Sequence, residues 1–144
     1  MPLGAAAVIR DAAGRVLLVR HGYGERNWEI PGGAGEPRES ALETALREAR
    51  EEVGVDLIVE GIAGIYWEPG WRDGEGGHHF VFRARLAADV APRLADPKEI
   101  IDLGWFGRDA LPRPMSDFTM RRIDDAMSSG PTVFGTVSGR RWVR

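Results

Sequence analysis

The chain has 144 residues, 43% hydrophobic and 28% charged, with a formal net charge of −3. That length suits one domain, residues 1–144, whose core buries roughly two-thirds of the unfolded surface without disulfides or a structural metal. With no cysteine in the sequence, disulfide scaffolds, thiol nucleophiles and zinc–thiolate sites are excluded, and the acidic balance argues against nucleic acid as a partner. There are three histidines, and only His78 and His79 are adjacent, so any bound metal has to be held by oxygen. The amino-terminal apolar run has no basic lead-in and ends at Arg10-Asp11. It fits neither a secretory signal nor a membrane span, and the expectation is a cytoplasmic protein with no membrane partner.

In chain order, Leu3–Arg10 and Arg15–Arg20 read as strands joined by a hairpin turn at Asp11-Ala12-Ala13-Gly14. Asn27–Ile30 is a shorter strand that ends at Pro31-Gly32-Gly33. A helix is predicted from Ser40 to Val53, then an extended stretch over Leu57–Trp67 broken by Gly61 and Gly64. The glycine-rich segment Pro69–Gly77 reads as a mobile loop, either a lid or a plain connection. His79–Leu86 alternates, with Phe80, Phe82, Ala84 and Leu86 on one face and Val81, Arg83 and Arg85 on the other. Ile100–Phe106 is a further strand. Ser116–Ser128 is a second helix, with Met120, Ile123 and Met127 on one face and Gly130 at its end. In the tail, Thr132–Val137 reads as an edge strand and Arg140, Arg141 and Arg144 as a solvated end.

The first helix carries the chemistry. Ser40 and Glu43 form a capping box, and Gly54 suits the left-handed residue that stops a helix. At 100° per residue, Glu48, Glu51 and Glu52 share one flank beside an apolar stripe of Leu42, Ala45, Leu46, Ala49 and Val53. Ala41 and Ala45, between the two sets, leave room for a ligand. Like charges at these spacings repel. Two readings follow: Arg47 and Arg50 neutralise the acids on a solvated face, or the acids hold a divalent cation. Magnesium suits the second, because it takes hard oxygen ligands together with substrate phosphates and water.

Gly33, Glu39, Arg47, Glu48, Glu51, Glu52, Gly54 and Val55 follow the spacing G-x5-E-x7-R-E-U-x-E-E-x-G-U, with U apolar. This resembles the signature box of the Nudix hydrolases (MutT-like proteins), here spanning 33–55. Trp28-Glu29-Ile30-Pro31-Gly32-Gly33 is similar to the family's lead-in, and Gly104-Trp105-Phe106 with Leu111-Pro112 to its later segment. Ala49 departs from the pattern, being smaller than the usual aliphatic residue, which is expected to loosen helix–sheet packing. The resemblance implies an α/β fold: an α/β/α sandwich with a mixed sheet between helices. It also implies Mg²⁺-dependent hydrolysis of a pyrophosphate bond in a nucleoside diphosphate linked to another group, with Mn²⁺ able to substitute. Glu48, Glu51 and Glu52 correspond to the family's metal-binding carboxylates, Glu52 also counting among the catalytic residues, with the Gly32 carbonyl as a further ligand. Glu39 and Arg47 correspond to residues that brace the box. A non-catalytic nucleotide sensor on the same fold is the alternative, and relatives often form homodimers.

Bound Mg²⁺ offsets the charge of a pyrophosphate and lowers the pKa of a bound water, and one carboxylate then takes that water's proton. Glu48 and Glu99 are the candidates for that base, with Glu48 preferred. For the nucleotide substrate, Arg20, Trp28 and Gly33 are the expected contacts, although Trp28 equally suits the core. Tyr23, Trp67, Trp71 and His78 lie near the expected mouth, where an aromatic stacked on a base contributes on the order of 1–3 kcal/mol. Pro69 lies where ADP-ribose-cleaving relatives often carry a proline, while the compact length also suits triphosphate pyrophosphohydrolases.

Overall fold

The computed structural model describes residues 2–144. Its strands are β1 (Leu3–Ile9), β2 (Val16–His21), β3 (Trp28–Glu29), β4 (Gly32–Ala34), β5 (Leu57–Glu68), β6 (Gly77–Leu86), β7 (Ile100–Phe106), β8 (Met115–Ser116), β9 (Val133–Thr136) and β10 (Trp142–Val143). Its helices are α1 (Ala41–Val53), the single turn α2 (Trp71–Gly74) and α3 (Asp117–Met127). A five-stranded sheet runs in the order β4-β1-β6-β5-β9 and a three-stranded sheet in the order β3-β2-β7. In the larger sheet β1–β6 and β5–β9 are parallel, and β1–β4 and β5–β6 antiparallel, so it is mixed, as expected.

Alternation along β1 decides which helix covers which face. Ala5 packs with Ala45 and Phe82, and Ala7 and Ile9 with Ala49 and Val53 of α1. Ala6 and Val8 point the other way, into a cluster with Phe118, Ile123 and Ala126 of α3. The result is the α/β/α layering expected from the sequence. Burial of a side chain such as Val53, 0% exposed, contributes about 1.5–3 kcal/mol. Ala49, expected to loosen this contact, is itself 1% exposed and belongs to the packed cluster.

Both ends of α1 follow the sequence. Ser40 accepts from the Glu43 amide while Glu43 accepts from the Ser40 amide, and Gly54 turns left-handed at φ 68°. Three other segments differ from expectation. Gly32–Ala34 is a strand rather than the end of one: a Cβ on Gly32 would lie 2.6 Å from the Ala5 carbonyl, so only glycine lets β4 pair this closely. β5 is continuous, its register slipping near Gly61 and Gly64 instead of breaking. Pro69–Gly77 holds the turn α2, where Arg72 and Asp73 have positive φ. Helix α3 is capped by Ser116 and Ser128, the bounds expected for it.

Candidate active site

Arg47 organises the box. Its guanidinium donates through Nε and Nη2 to the two oxygens of Glu39 (2.7 and 3.0 Å), through Nη1 to Glu48 (2.9 Å) and Glu51 (3.1 Å), and through Nη2 to the Ala34 carbonyl (3.1 Å). One side chain thus ties the loop before α1, the helix itself and β4 together. The Arg47 and Thr44 hydrogen bonds lower the Glu39 pKa to about 2. Arg50, the other cation of the neutralised-face reading, turns away to Asp56 at 2.5 Å.

Glu52 is the buried member of the acidic set, 6% exposed. Its Oε2 accepts from the Gly32 amide at 3.2 Å, and Oε1 is buried with no hydrogen-bond partner. Burial first, then the neighbouring Glu48, pushes the Glu52 pKa up to about 10, so the site resists a second negative charge beside Glu48. Glycine at 33 leaves the Glu48 carboxylate its place, since a Cβ there would stand 2.7 Å from the carboxyl carbon and Oε1. A pair of hard oxygen donors that crowd each other, with one oxygen orphaned, fits a divalent cation. Glu51 is half-exposed and turned toward Arg47. Among the described residues, no three acidic or histidine side chains are grouped to hold an ion as they lie. Of Gly32, it is the amide that meets the acids.

These carboxylates line a cleft of about 340 Å³ together with His21, Tyr23, Gly32, Gly33, Asp96 and Glu99. Glu99 reaches it because its carbonyl accepts from the Gly22 amide at 2.8 Å, pinning the loop to the end of β2. The cleft continues past Tyr23 and Gly33 into a second space of about 290 Å³, lined by Glu29, Trp71, His79, Arg122 and Arg140 among others. A larger concavity of about 570 Å³ lies beside the β1–β2 turn, but its Glu60 is within 3.7–3.8 Å of Arg10 and Arg85, and the box carboxylates take no part in it.

Two expected substrate contacts are placed elsewhere. Trp28 is 7% exposed within the core cluster, edge-on to Phe106, because β3 turns it inward. Arg20 lies over Trp28 and donates to the Arg26 carbonyl at 2.8 Å, closing the β2–β3 connection. Neither lines the cleft. Of the four expected mouth residues, Tyr23 and Trp71 line it; Trp67 and His78 lie against each other instead, their rings 4.9 Å apart and tilted by 46°.

The sequence reading missed the network behind the second space. Glu29 accepts from Thr119 Oγ1 (2.9 and 3.0 Å) and from Arg122 Nη2 (2.9 Å). Arg122 is 6% exposed and covers the Phe118 ring at 4.2 Å. The available signal was its position one turn after Phe118, on the buried face of α3. Arg140, expected in a solvated end, is bound to Glu68 (2.7 and 3.1 Å).

Residues 1–127 match the family model of the NUDIX domain. A candidate 8-oxo-dGTP diphosphatase of Bacillus subtilis (strain 168) is 30% identical over 134 residues, 93% of this chain and 85% of that protein. The crystal structure of a MutT NUDIX hydrolase from Burkholderia pseudomallei superposes with a TM-score of 0.74 at 28% identity, covering 85% of this chain and 95% of that one. That of a UDP-X diphosphatase also gives 0.74, at 27% identity, over 91% and 66%. Among the described residues no helix is long and apolar enough to cross a membrane.

Proposed function

The chain belongs to the Nudix family and is a nucleotide pyrophosphohydrolase, and on that premise we propose that it cleaves a phosphoric anhydride in a nucleoside diphosphate linked to a further group, using Mg²⁺ or Mn²⁺. Glu48, Glu51, Glu52 and the Gly32 carbonyl are the proposed ligands. The observation that carries this reading is the Glu48–Glu52 pair, two acids lining one cleft with Glu52 Oε1 buried and unpartnered. Glu51 joins them by leaving Arg47, and an ion pair this exposed is worth under about 1 kcal/mol. When bound, the cation neutralises phosphate oxygens and makes a bound water more acidic.

The chain's own residues supply the remaining parts. Arg47 holds Glu48 and, through Glu39 and Ala34, fixes α1 against β4. A rigid frame of this kind is what phosphoryl transfer requires, since its catalysis is largely positioning and charge stabilisation. The water's proton passes to Glu48 or to Glu99, the two base candidates that line the cleft. A non-catalytic sensor is the less favoured reading, for the chain keeps all three box carboxylates, Glu48, Glu51 and Glu52.

A substrate panel with product analysis tests the reading: nucleoside triphosphates including an oxidised guanine nucleotide, ADP-ribose, dinucleoside polyphosphates and nucleotide sugars. Hydrolysis at the anhydride, lost with a chelator and restored by Mg²⁺ or Mn²⁺, is expected, and Glu52→Gln lowers the rate by at least two orders of magnitude. Full activity in the chelator, or in folded Glu52→Gln, contradicts the proposal.

A further inference from the structure

Strand β6 turns His79 inward beside Val81, where it is 7% exposed between the rings of Trp71 (4.5 Å) and Phe118 (5.6 Å). Its Nε2 lies 2.8 Å from Glu68 Oε1. Burial raises the Glu68 pKa, but the Arg140 hydrogen bonds and charge, with those of His79, bring it below the ordinary value. Glu68 is therefore an ionised acceptor, and the proton between the two groups resides on Nε2. Burial, with Arg122 and Arg140 nearby, outweighs Glu68 and disfavours the imidazolium. The ring is neutral, and its other nitrogen, Nδ1, is a bare acceptor.

Nδ1 faces Gly4, where a Cβ would stand 2.6 Å away, and it has no protein partner among the described residues. Gly4 and His79 both line the second space, beside the carboxylate cleft. The charges there are already matched: Arg122 with Glu29 at 2.9 Å and Arg140 with Glu68 at 2.7 Å. Paired charges do not attract a further phosphate. They suit a neutral, flat, hydrogen-bonding group, for which Trp71, Tyr23 and Phe80 supply apolar surface.

We propose that His79 selects the substrate's base by accepting, at Nδ1, a hydrogen bond from an N–H on the edge of a planar heterocycle, with Glu68 fixing the tautomer and Arg140 holding Glu68. His79 is the specificity-determining residue, and Glu68 and Arg140 are positioning residues. Arg140 lies outside residues 1–127, the part that matches the family model. Its segment is nonetheless docked: the Asp117 amide donates to the Arg141 carbonyl and the Arg141 amide to Asp117 Oδ1, both at 2.9 Å, and β10 pairs with β8. The inference rests on the pyrophosphohydrolase reading, because it assigns the part of the same substrate that is not cleaved.

The test compares triphosphates with their N-capped counterparts: GTP with N1-methyl-GTP, UTP with N3-methyl-UTP, and ATP with N6,N6-dimethyl-ATP. For the parent that turns over best, capping is expected to lower kcat/KM at least tenfold, mostly through KM. His79→Phe, which keeps a ring in the slot, reduces that ratio to within twofold. Arg140→Ala, at the exposed end of the network, weakens the discrimination, and ¹⁵N NMR shows the His79 ring shifting from pure Nε2–H to a tautomer mixture. A wild-type ratio near one, or a ratio unchanged in both variants, overturns the inference. If no triphosphate, dinucleotide or nucleotide sugar is hydrolysed, the pyrophosphohydrolase reading falls. Binding of the parent and capped monophosphates, followed at the His79 resonances, then decides the recognition claim separately.

Discussion

Replacing Gly33 by Ala tests whether the position of the Glu48 carboxylate governs turnover. A Cβ at 33 would lie 2.7 Å from Glu48 Cδ and Oε1, where ordinary contact begins at 3.4 Å, so the carboxylate must retreat by about 0.7 Å. Misplacing a reacting group by about 1 Å costs on the order of 10²-fold in rate, which puts the expected loss in kcat at roughly 10- to 100-fold. Stability should hardly change. The group that yields is the end of a side chain, and Gly→Ala at an unstrained position returns about 0.4–1 kcal/mol through the unfolded chain. Gly32→Ala is the contrasting variant: its Cβ meets the Ala5 carbonyl and Ala6 Cα at 2.6 and 2.7 Å, backbone that cannot step aside, and it should lower the melting temperature. Steady-state kinetics at saturating Mg²⁺ with thermal melts of both variants read the two effects. A Gly33→Ala enzyme with wild-type kcat refutes the reasoning.

Glu48→Gln and Glu99→Gln separate the two base candidates: the true base variant loses the ascending acid limb of its pH–rate profile and at least 10²-fold in kcat, while the other keeps that limb. A profile unchanged in both excludes the pair. Glu39 is held at a pKa of about 2, below its ordinary 4.5, so its contribution to stability is full above pH 4.5 and lost as pH falls toward 2. The melting temperatures of wild type and Glu39→Gln should accordingly differ by a constant amount from pH 5 to 8 and converge between pH 4.5 and 2; a difference that persists at pH 2 speaks against the brace. Tyr66 is fully buried and donates to Asp125 Oδ2 at 2.7 Å, and Tyr66→Phe should cost about 1 kcal/mol, or roughly 3–5 °C, with no change in kcat by the same assays.

What the sequence revealed is what is encoded locally. The Ser40–Glu43 box and the Gly54 stop depend on neighbours three or four residues away, and the flank shared by Glu48, Glu51 and Glu52 follows from helix geometry. β4 was hidden because Gly32 and Gly33 carry no strand propensity; their strand exists through the close approach to Ala5 and Ala6. Glu29 meets Thr119 and Arg122 about 90 positions away in the chain, a pairing no local pattern announces. His78 was singled out where His79 lines the groove, although alternation already placed His79 on the Val81 face. Arg140 looked solvated because three arginines near the end of a chain usually are, and only the Glu68 carboxylate, 72 positions away, draws it in.

Binding of Mn²⁺ by the wild-type chain and by Glu48→Gln and Glu52→Gln, followed by electron paramagnetic resonance without nucleotide, bears most directly on the site. The free Mn²⁺ signal should fall as wild-type protein is added and recover on competition with Mg²⁺, with each substitution weakening binding at least tenfold while the far-ultraviolet circular dichroism stays the same. Equal binding by all three proteins, or none by the wild type at millimolar ion, contradicts a cation site on the crowded face of α1.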